Sequence, residues 1–234
     1  MSLTGGFERL LVAGAPADVR IRVDGRAKRI SIKVDRVGGG ITLTAPSRVM
    51  IPEARRFLKS RASWVEARKA EAVEPTPFVV GAKIPVQGTL REIVHDPTAP
   101  DPVRLTESAI IISGNADLLP TLLTKFFKAE ARRALKEASH RHAAALGLKI
   151  AGLTIRDQKT RWGSCSSSGK LSFSWRLAMA PAYVLEYLAA HEAAHLRHMN
   201  HGPKFWKLVE ALDPNWWKAE DWLKRHGPNL RRYG

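Results

Sequence analysis

The sequence predicts an α+β protein, mainly β in its N-terminal region and mainly helical after it. Three observations carry this expectation. Strand-length runs that alternate or stay apolar fill the chain up to about residue 112, punctuated by glycine and proline. Apolar residues at three- and four-residue spacing take over beyond residue 116. Proline stands at or near the start of the later periodic stretches, where a helix tolerates it best. The change of period divides the chain into a basic, mainly β region at 1–115, with one helix near 52–72, and a second domain at 116–234.

Taken in order, residues 19–24, 29–35 and 40–45 read as strands. Asp24-Gly25 has the composition of a hairpin turn, and Gly38-Gly39-Gly40 marks another break. From 52 to 72 the period becomes helical through Ala54, Phe57, Leu58, Trp64, Val65 and Ala67, and Pro75 and Pro77 end it. Short strands are expected at 78–80, 84–87, 90–95, 102–105 and 109–112, with a proline-rich loop at 96–101. A long helix follows to Leu146, closed by Gly147 as a C-cap. Next come a strand at 151–156, a hairpin around Ser166 to Gly169, and a helix from Pro181 to about Met199. Helices from Pro203 to Leu212 and from Asn215 to Arg225 complete the chain. No internal repeat and no low-complexity tract is visible.

The 234 residues suffice for a substantial core, and no apolar run approaches the length that crosses a bilayer. Cys165 stands alone, which excludes an internal disulfide and fits a reducing, cytoplasmic setting. The net charge of +16 favours anionic partners: nucleic acid, nucleotides, anionic lipid or acidic peptides. Half of that excess lies in residues 1–72, where 15 Lys and Arg face 7 Asp and Glu. Between Arg20 and Arg36, basic and apolar residues alternate, as on a strand with one wet face. Such a face is either merely solvated or a surface for anions.

The most specific motif is His191-Glu192-Ala193-Ala194-His195, within a segment of helical period. Histidines four apart lie one above the other on a helix, so both imidazoles can reach one ion. A glutamate beside the first can take a proton from a metal-bound water. A catalytic zinc takes three protein ligands and leaves a fourth position open. His198 rises about 10.5 Å from His191 on a continuous helix, too far to share the ion. Asn200-His201-Gly202-Pro203 can reverse the chain and return His201 to the metal.

A second cluster is Lys159-Thr160-Arg161-Trp162-Gly163-Ser164-Cys165-Ser166, expected to form one arm of a hairpin with Leu171 to Arg176. An edge strand beside a metal can hold extended substrate through its backbone. Arg161 or Arg176 could neutralise an anionic substrate or transition state. The competing reading makes Trp162 and Trp175 core anchors, Gly163 a bulge, and Arg161 part of a structural ion pair. Cys165 reads as a small buried apolar residue rather than a ligand. Phe205, Trp206, Trp216, Trp217 and Trp222 have the spacing of helix-packing residues. A nucleic-acid platform would instead need exposed rings on a basic sheet.

Taken together, Thr160 to Ser167, Trp175-Arg176-Leu177, Pro181, His191-Glu192-x-x-His195, Asn200-His201 and Phe205-Trp206 resemble the YgjP-like metallopeptidase family. That family is also called DUF45 or predicted metal-dependent hydrolases. The likeness is specific over about 150–226 and looser toward the N-terminus. It implies a zincin-like fold for 116–234, a metal held by His191, His195 and His201, and Glu192 as catalytic base. Ala193-Ala194, Gly202 and Ser174 depart from the residues common there, but no ligand is lost. The expected protein is thus a hydrolase with one Zn2+ per chain, or another divalent ion, acting on peptides with Glu192 as general base. Arg161 and Arg176 are candidate stabilisers of charge. The alternative is a hydrolase of phosphoanhydrides such as nucleoside triphosphates, and a third reading is a nucleic-acid-binding protein with a structural metal.

Overall fold

Residues 6–158 and 160–234 are described by the computed structural model. The chain divides into two units, Met1–Pro75 and Thr76–Gly234. The boundary expected at 115/116 is therefore displaced. Strands after residue 80 bury Ile84, Ile93, Ile110 and Ile112 in the same core as the long helix and the helices beyond it. Shared burial, rather than a change of period, decides where a domain ends.

In the first unit, β1 (Phe7–Val12), β2 (Ala15–Val23), β3 (Ser31–Val34) and β4 (Ile41–Ala45) form one sheet in the order β1-β2-β4-β3. β1 and β2 are antiparallel, β2 and β4 parallel, β4 and β3 antiparallel. The hairpin turn is Ala13-Gly14, both at positive φ, which matches the twist of the flanking strands. Asp24-Gly25 makes no hairpin. β3 pairs with β4 and not β2, and the Asp24 carboxylate instead accepts hydrogen bonds from Arg22 and Arg26 at the strand exit. One sheet face buries Val19, Ile21, Ile41 and Leu43 with Ala54, Leu58 and Val65 of α1 (Ile51–Ser60) and α2 (Ala62–Ala70). The helix expected at 52–72 thus breaks at Arg61. There the Ser60 hydroxyl donates to the Phe57 carbonyl and draws the backbone out of the ladder.

The second unit begins with the same arrangement. β5 (Lys83–Val86), β6 (Thr89–His95), β7 (Val103–Leu105) and β8 (Ala109–Ile112) pair in the order β5-β6-β8-β7. The stretch 78–80 is not a strand. Turn bonds from Val79 to Pro77 and from Ala82 to Val79 hold it, with Phe78 buried. α3 (Leu119–Ala145) then runs for 27 residues. Its face of Leu123, Phe127, Ala131 and Leu135 lies in the core, where Phe127 contacts Phe78 and Trp175.

β9 (Gly152–Arg156), β10 (Gly163–Cys165) and β11 (Lys170–Ser174) form a third sheet, ordered β10-β11-β9. β10 is an edge strand, antiparallel to β11 through the expected turn at Ser166 to Gly169. A wholly buried 3-10 segment, Trp175–Met179, leads into α4 (Ala182–Ala194). α4 is apolar nearly all round, and such a helix can only be stable when enclosed. α5 (Pro203–Leu212) and α6 (Trp216–Leu230) follow. α6 runs past the expected end at Arg225 and through Pro228, because Gly227 and Leu230 are themselves packed inward. Among the described residues, no helix is long and apolar enough to cross a membrane.

Candidate metal centre

α4 ends at Ala194, earlier than the Met199 its composition suggested. The termination builds the site. Amides of Leu196 and Arg197 bond three residues back, tightening the final turn, and His195 Nδ1 lies 2.9 Å from the His198 carbonyl. As His198 offers a carbonyl, Nδ1 is the donor, which leaves the Nε2 lone pair free. His198 thus serves through its backbone. Beyond it the chain reverses, and Pro203 opens α5 after an extended Gly202.

This reversal returns His201 to the helix. The ligand atoms of His191, His195 and His201 all lie within 4.8 Å of one another. His201 Nε2 and His191 Nε2 are 3.1 Å apart. The rings meet at centroid separations of 5.1, 5.1 and 4.7 Å. Phe205, fully buried on α5, touches all three rings at 4.9, 4.5 and 4.7 Å. Trp206 adds contacts to His191 and His201 and stacks in turn near Trp216. These side chains were read from spacing as helix packing alone. Their position as the floor of the cluster follows from Phe205 standing four residues after His201 on a reversed chain.

Burial sets the electrostatics. Loss of hydration pushes the His191 pKa down to about 3, with His195 and His201 adding repulsion. Burial lowers His195 as well. The Tyr187 hydroxyl, one turn before His191, sits 3.3 Å from its Nδ1 and is raised by burial above the ordinary tyrosine range. Tyr187 was not singled out from the sequence. Its signal is the i, i+4 spacing to the first histidine.

Glu192 is 3% exposed, and burial pushes its pKa up to about 8, opposed by the nearby positive charge of Arg161. Its Oε2 is buried and makes no hydrogen bond among the described residues. The carboxyl lies directly over Gly163 of β10. A Cβ there would come within 2.4 Å of Oε1. Gly163 is therefore no bulge but a regular strand residue paired with Phe173, and its missing side chain is the space Glu192 occupies. Cys165, two residues on, is half-buried and raised to about 11 by burial and by Glu192. It does not join the histidine group.

The two arginines part company. Arg161 is exposed and acts on Glu192. Arg176 is not at the site, which corrects its candidacy as a charge stabiliser. Its guanidinium is sunk against the Trp175 ring, bonds both carboxylate oxygens of Asp157, and donates to the carbonyls of Leu230 and Tyr233. Four of its five N–H donors are thus committed inside the fold, which makes it a structural tie. Trp162 packs on Gly227 and lies under Arg231, as a core anchor would. Lys159 lies outside the described residues.

Comparison with known proteins bears on the same region. A family model described as YgjP-like, metallopeptidase domain, matches residues 28–226. No curated protein matches. Among solved structures, the metallopeptidase zymogen abylysin of Pyrococcus abyssi is similar, with 22% identity and a TM-score of 0.36. The match covers 42% of this chain and 97% of that one.

Proposed function

The chain belongs to the YgjP-like family of metallopeptidase domains, and from that premise we propose that it is a zinc-dependent peptidase with Glu192 as its general base. The family supports a metal-dependent hydrolase. The finer reading rests on one observation: three imidazoles converge beside a buried glutamate whose outer oxygen has no protein partner.

The residues fit a divalent cation. Two nitrogens sharing a tetrahedral zinc at 2.0–2.1 Å stand about 3.3 Å apart, and His191 Nε2 and His201 Nε2 are 3.1 Å apart. His195 turns Nε2 inward by donating Nδ1–H to the His198 carbonyl, and the Tyr187 hydroxyl, 3.3 Å from His191 Nδ1, can accept from that ring when its Nε2 ligates. Burial depresses the pKa of His191 and His195 and so favours the neutral rings that ligate. No fourth His, Cys, Asp or Glu joins them among the described residues, which suits a catalytic rather than a structural ion.

A divalent cation held by His191, His195 and His201 would supply Lewis acidity toward the attacking water and the substrate carbonyl. The chain supplies the rest. Glu192 Oε2 receives the proton of the attacking water and passes it to the departing nitrogen, so that one water is consumed and an acid and an amine are released. Burial raises this carboxyl in the metal-free protein, and a neighbouring dication would favour its ionised form, which can accept the proton. β10 presents an edge beside Glu192 to which an extended peptide can add as a further strand, with its scissile bond alongside the carboxyl. Arg161, exposed near Glu192, offers a charge to the developing oxyanion.

The test compares wild type with Glu192→Gln, each with measured zinc content, on a peptide library and on nucleoside triphosphates. Peptide cleavage by wild type and its loss in a variant that keeps full zinc supports the reading. Phosphate release without peptide cleavage would overturn the peptidase assignment. Equal activity of the two proteins would overturn the role of Glu192.

A further inference from the structure

The residues of the metal centre all come from the C-terminal unit, whereas the strongest charge pattern in the sequence lies in the N-terminal one. The β1–β4 sheet has two unlike faces. Helices α1 and α2 cover one. The other carries Phe7, Arg9, Arg20, Arg22 and Lys33, with Thr42 and Thr44 between them. We propose that this open face binds single-stranded nucleic acid.

Register makes the argument. Phe7 pairs with Arg20, Arg20 with Thr42, and Thr42 with Lys33, so ring, guanidinium, hydroxyl and ammonium form one row across all four strands. Three strand spacings make that row about 14 Å long. Arg22, Thr44 and Ser31 form the next row, about 7 Å along the strands. Phe7 is 74% exposed in a strand whose alternate residues Leu10 and Val12 pack inward. An exposed ring there contributes nothing to the core.

The acids leave only part of this face unneutralised. Glu8 points to the helix side, where Arg55 of α1 binds both its oxygens. Asp24 and Asp35 lie at strand exits and pair with Arg22 and Lys33, so the charge held by no acid is that of Arg9 and Arg20. Asp18 is the acid on the open face, opposite Arg9. Arg9 and Arg20 form no ion pair among the described residues. Cations that track phosphates beside a ring on which a base stacks are what a single strand requires. An acidic peptide would use the charges but has no planar face for Phe7.

The experiment is fluorescence anisotropy of the full chain with a labelled oligothymidylate, from low to physiological salt. Binding is expected to weaken as salt rises. Arg20→Glu with Lys33→Glu should weaken it about 100-fold at low salt and flatten the salt slope by about 1.4, or 0.7 for each lost phosphate contact. Phe7→Ala should weaken it about tenfold with the slope unchanged. Arg56→Glu with Lys59→Glu, on the solvent side of α1, should change it less than about twofold. If a melting curve shows the sheet double variant unfolded, Arg20→Gln with Lys33→Gln replaces it. No binding at low salt, or equal weakening by the helix pair and the sheet pair, would sink the proposal. So would Phe7-dependent binding to phosphatidylserine vesicles with none to the oligonucleotide.

Discussion

In β1–β4 and again in β5–β8 the strands follow one order, with an antiparallel, a parallel and an antiparallel pairing. Both open with a hairpin whose turn is a non-glycine at φ near +50° followed by glycine at +84°: Ala13-Gly14 and Gln87-Gly88. Both close with a 3-10 turn and a helix carrying proline in its first turn, at Pro52 and Pro120. Their surroundings differ. Nothing lies within 4 Å of a Cβ built on Gly14, whereas one on Gly88 would meet Pro181 at 2.9 Å. The Gln87 and Gly88 amides bond the carbonyls of Ala178 and Met179, just ahead of α4. One connectivity thus serves as a self-contained sheet in the first unit and, in the second, as the abutment for the histidine helix. The lesson is that contacts at the turn, not topology, tie a sheet to a site.

The largest test of this division is catalytic. Glu192→Gln should lower peptide turnover about 1,000-fold, as loss of a general base does, with zinc content unchanged by metal analysis. Arg20→Glu, on the sheet of the first unit, should leave turnover within about twofold, as exposed substitutions that touch no catalytic residue do. A large loss from Arg20→Glu would break the separation of roles.

An arginine sunk in the fold and one at the surface provide the second contrast. Arg176→Ala removes a buried guanidinium and leaves the carbonyls of Leu230 and Tyr233 without their donor, which should cost about 2 kcal/mol of stability. Arg55→Ala removes a half-exposed pair with Glu8 and should cost about 0.5 kcal/mol. Denaturant melts check both. Similar costs would mean that Arg176 is not the internal tie its contacts describe.

Two equivalent glycines sharpen the point. Gly14→Ala meets only the strain of a left-handed turn, about 1 kcal/mol. Gly88→Ala adds a collision with the Pro181 ring and backbone, so about 2 kcal/mol is expected. Because Pro181 heads α4, Gly88→Ala should also weaken zinc binding, read by competition with a chromogenic chelator. Equal costs and unchanged affinity would deny the turn its bracing role.

Much of this was legible in the sequence. Helical spacing and the HExxH pattern pointed to α3, α5, His191 and His195, because periodicity and ligand spacing are local properties, while His201 was expected from the reversal at 200–203, and the three side chains do lie together. The duplicated sheet was invisible. Its identity rests on parallel pairing of β2 with β4 and of β6 with β8, contacts between separated segments whose side chains need share only polarity. Asp24-Gly25 had the better turn composition, but Ala13-Gly14 makes the turn, since pairing decides which left-handed residues are tolerated. Arg161 and Arg176 looked alike as cations beside Trp162 and Trp175. Only burial separates the one facing Glu192 from the one bound to Asp157 and the C-terminal carbonyls.

The last prediction concerns the acids. The first unit pairs several of its acids with arginine or lysine: Asp24 is held below its ordinary range, chiefly by the Arg26 side chain. The second unit buries Glu192, whose pKa rises from 4.5 to about 8. A raised carboxyl binds its proton more tightly folded than unfolded, so its favourable contribution is complete below about pH 4.5 and is lost as pH climbs through 8. Metal-free wild type should therefore lose stability over that window relative to Glu192→Gln, whose amide does not titrate. The depressed His191 works in the acid range and is common to both proteins, so it cancels in the difference. At pH 9 the metal-free variant should be the more stable by at least about 1 kcal/mol, and near pH 4 the two should converge. Zinc should abolish the gap, because a neighbouring dication favours the carboxylate. Thermal melts in chelator across this range decide it. A gap that is flat with pH would mean that the Glu192 carboxyl is hydrated in solution, and the contrast between the two units would then rest on packing alone.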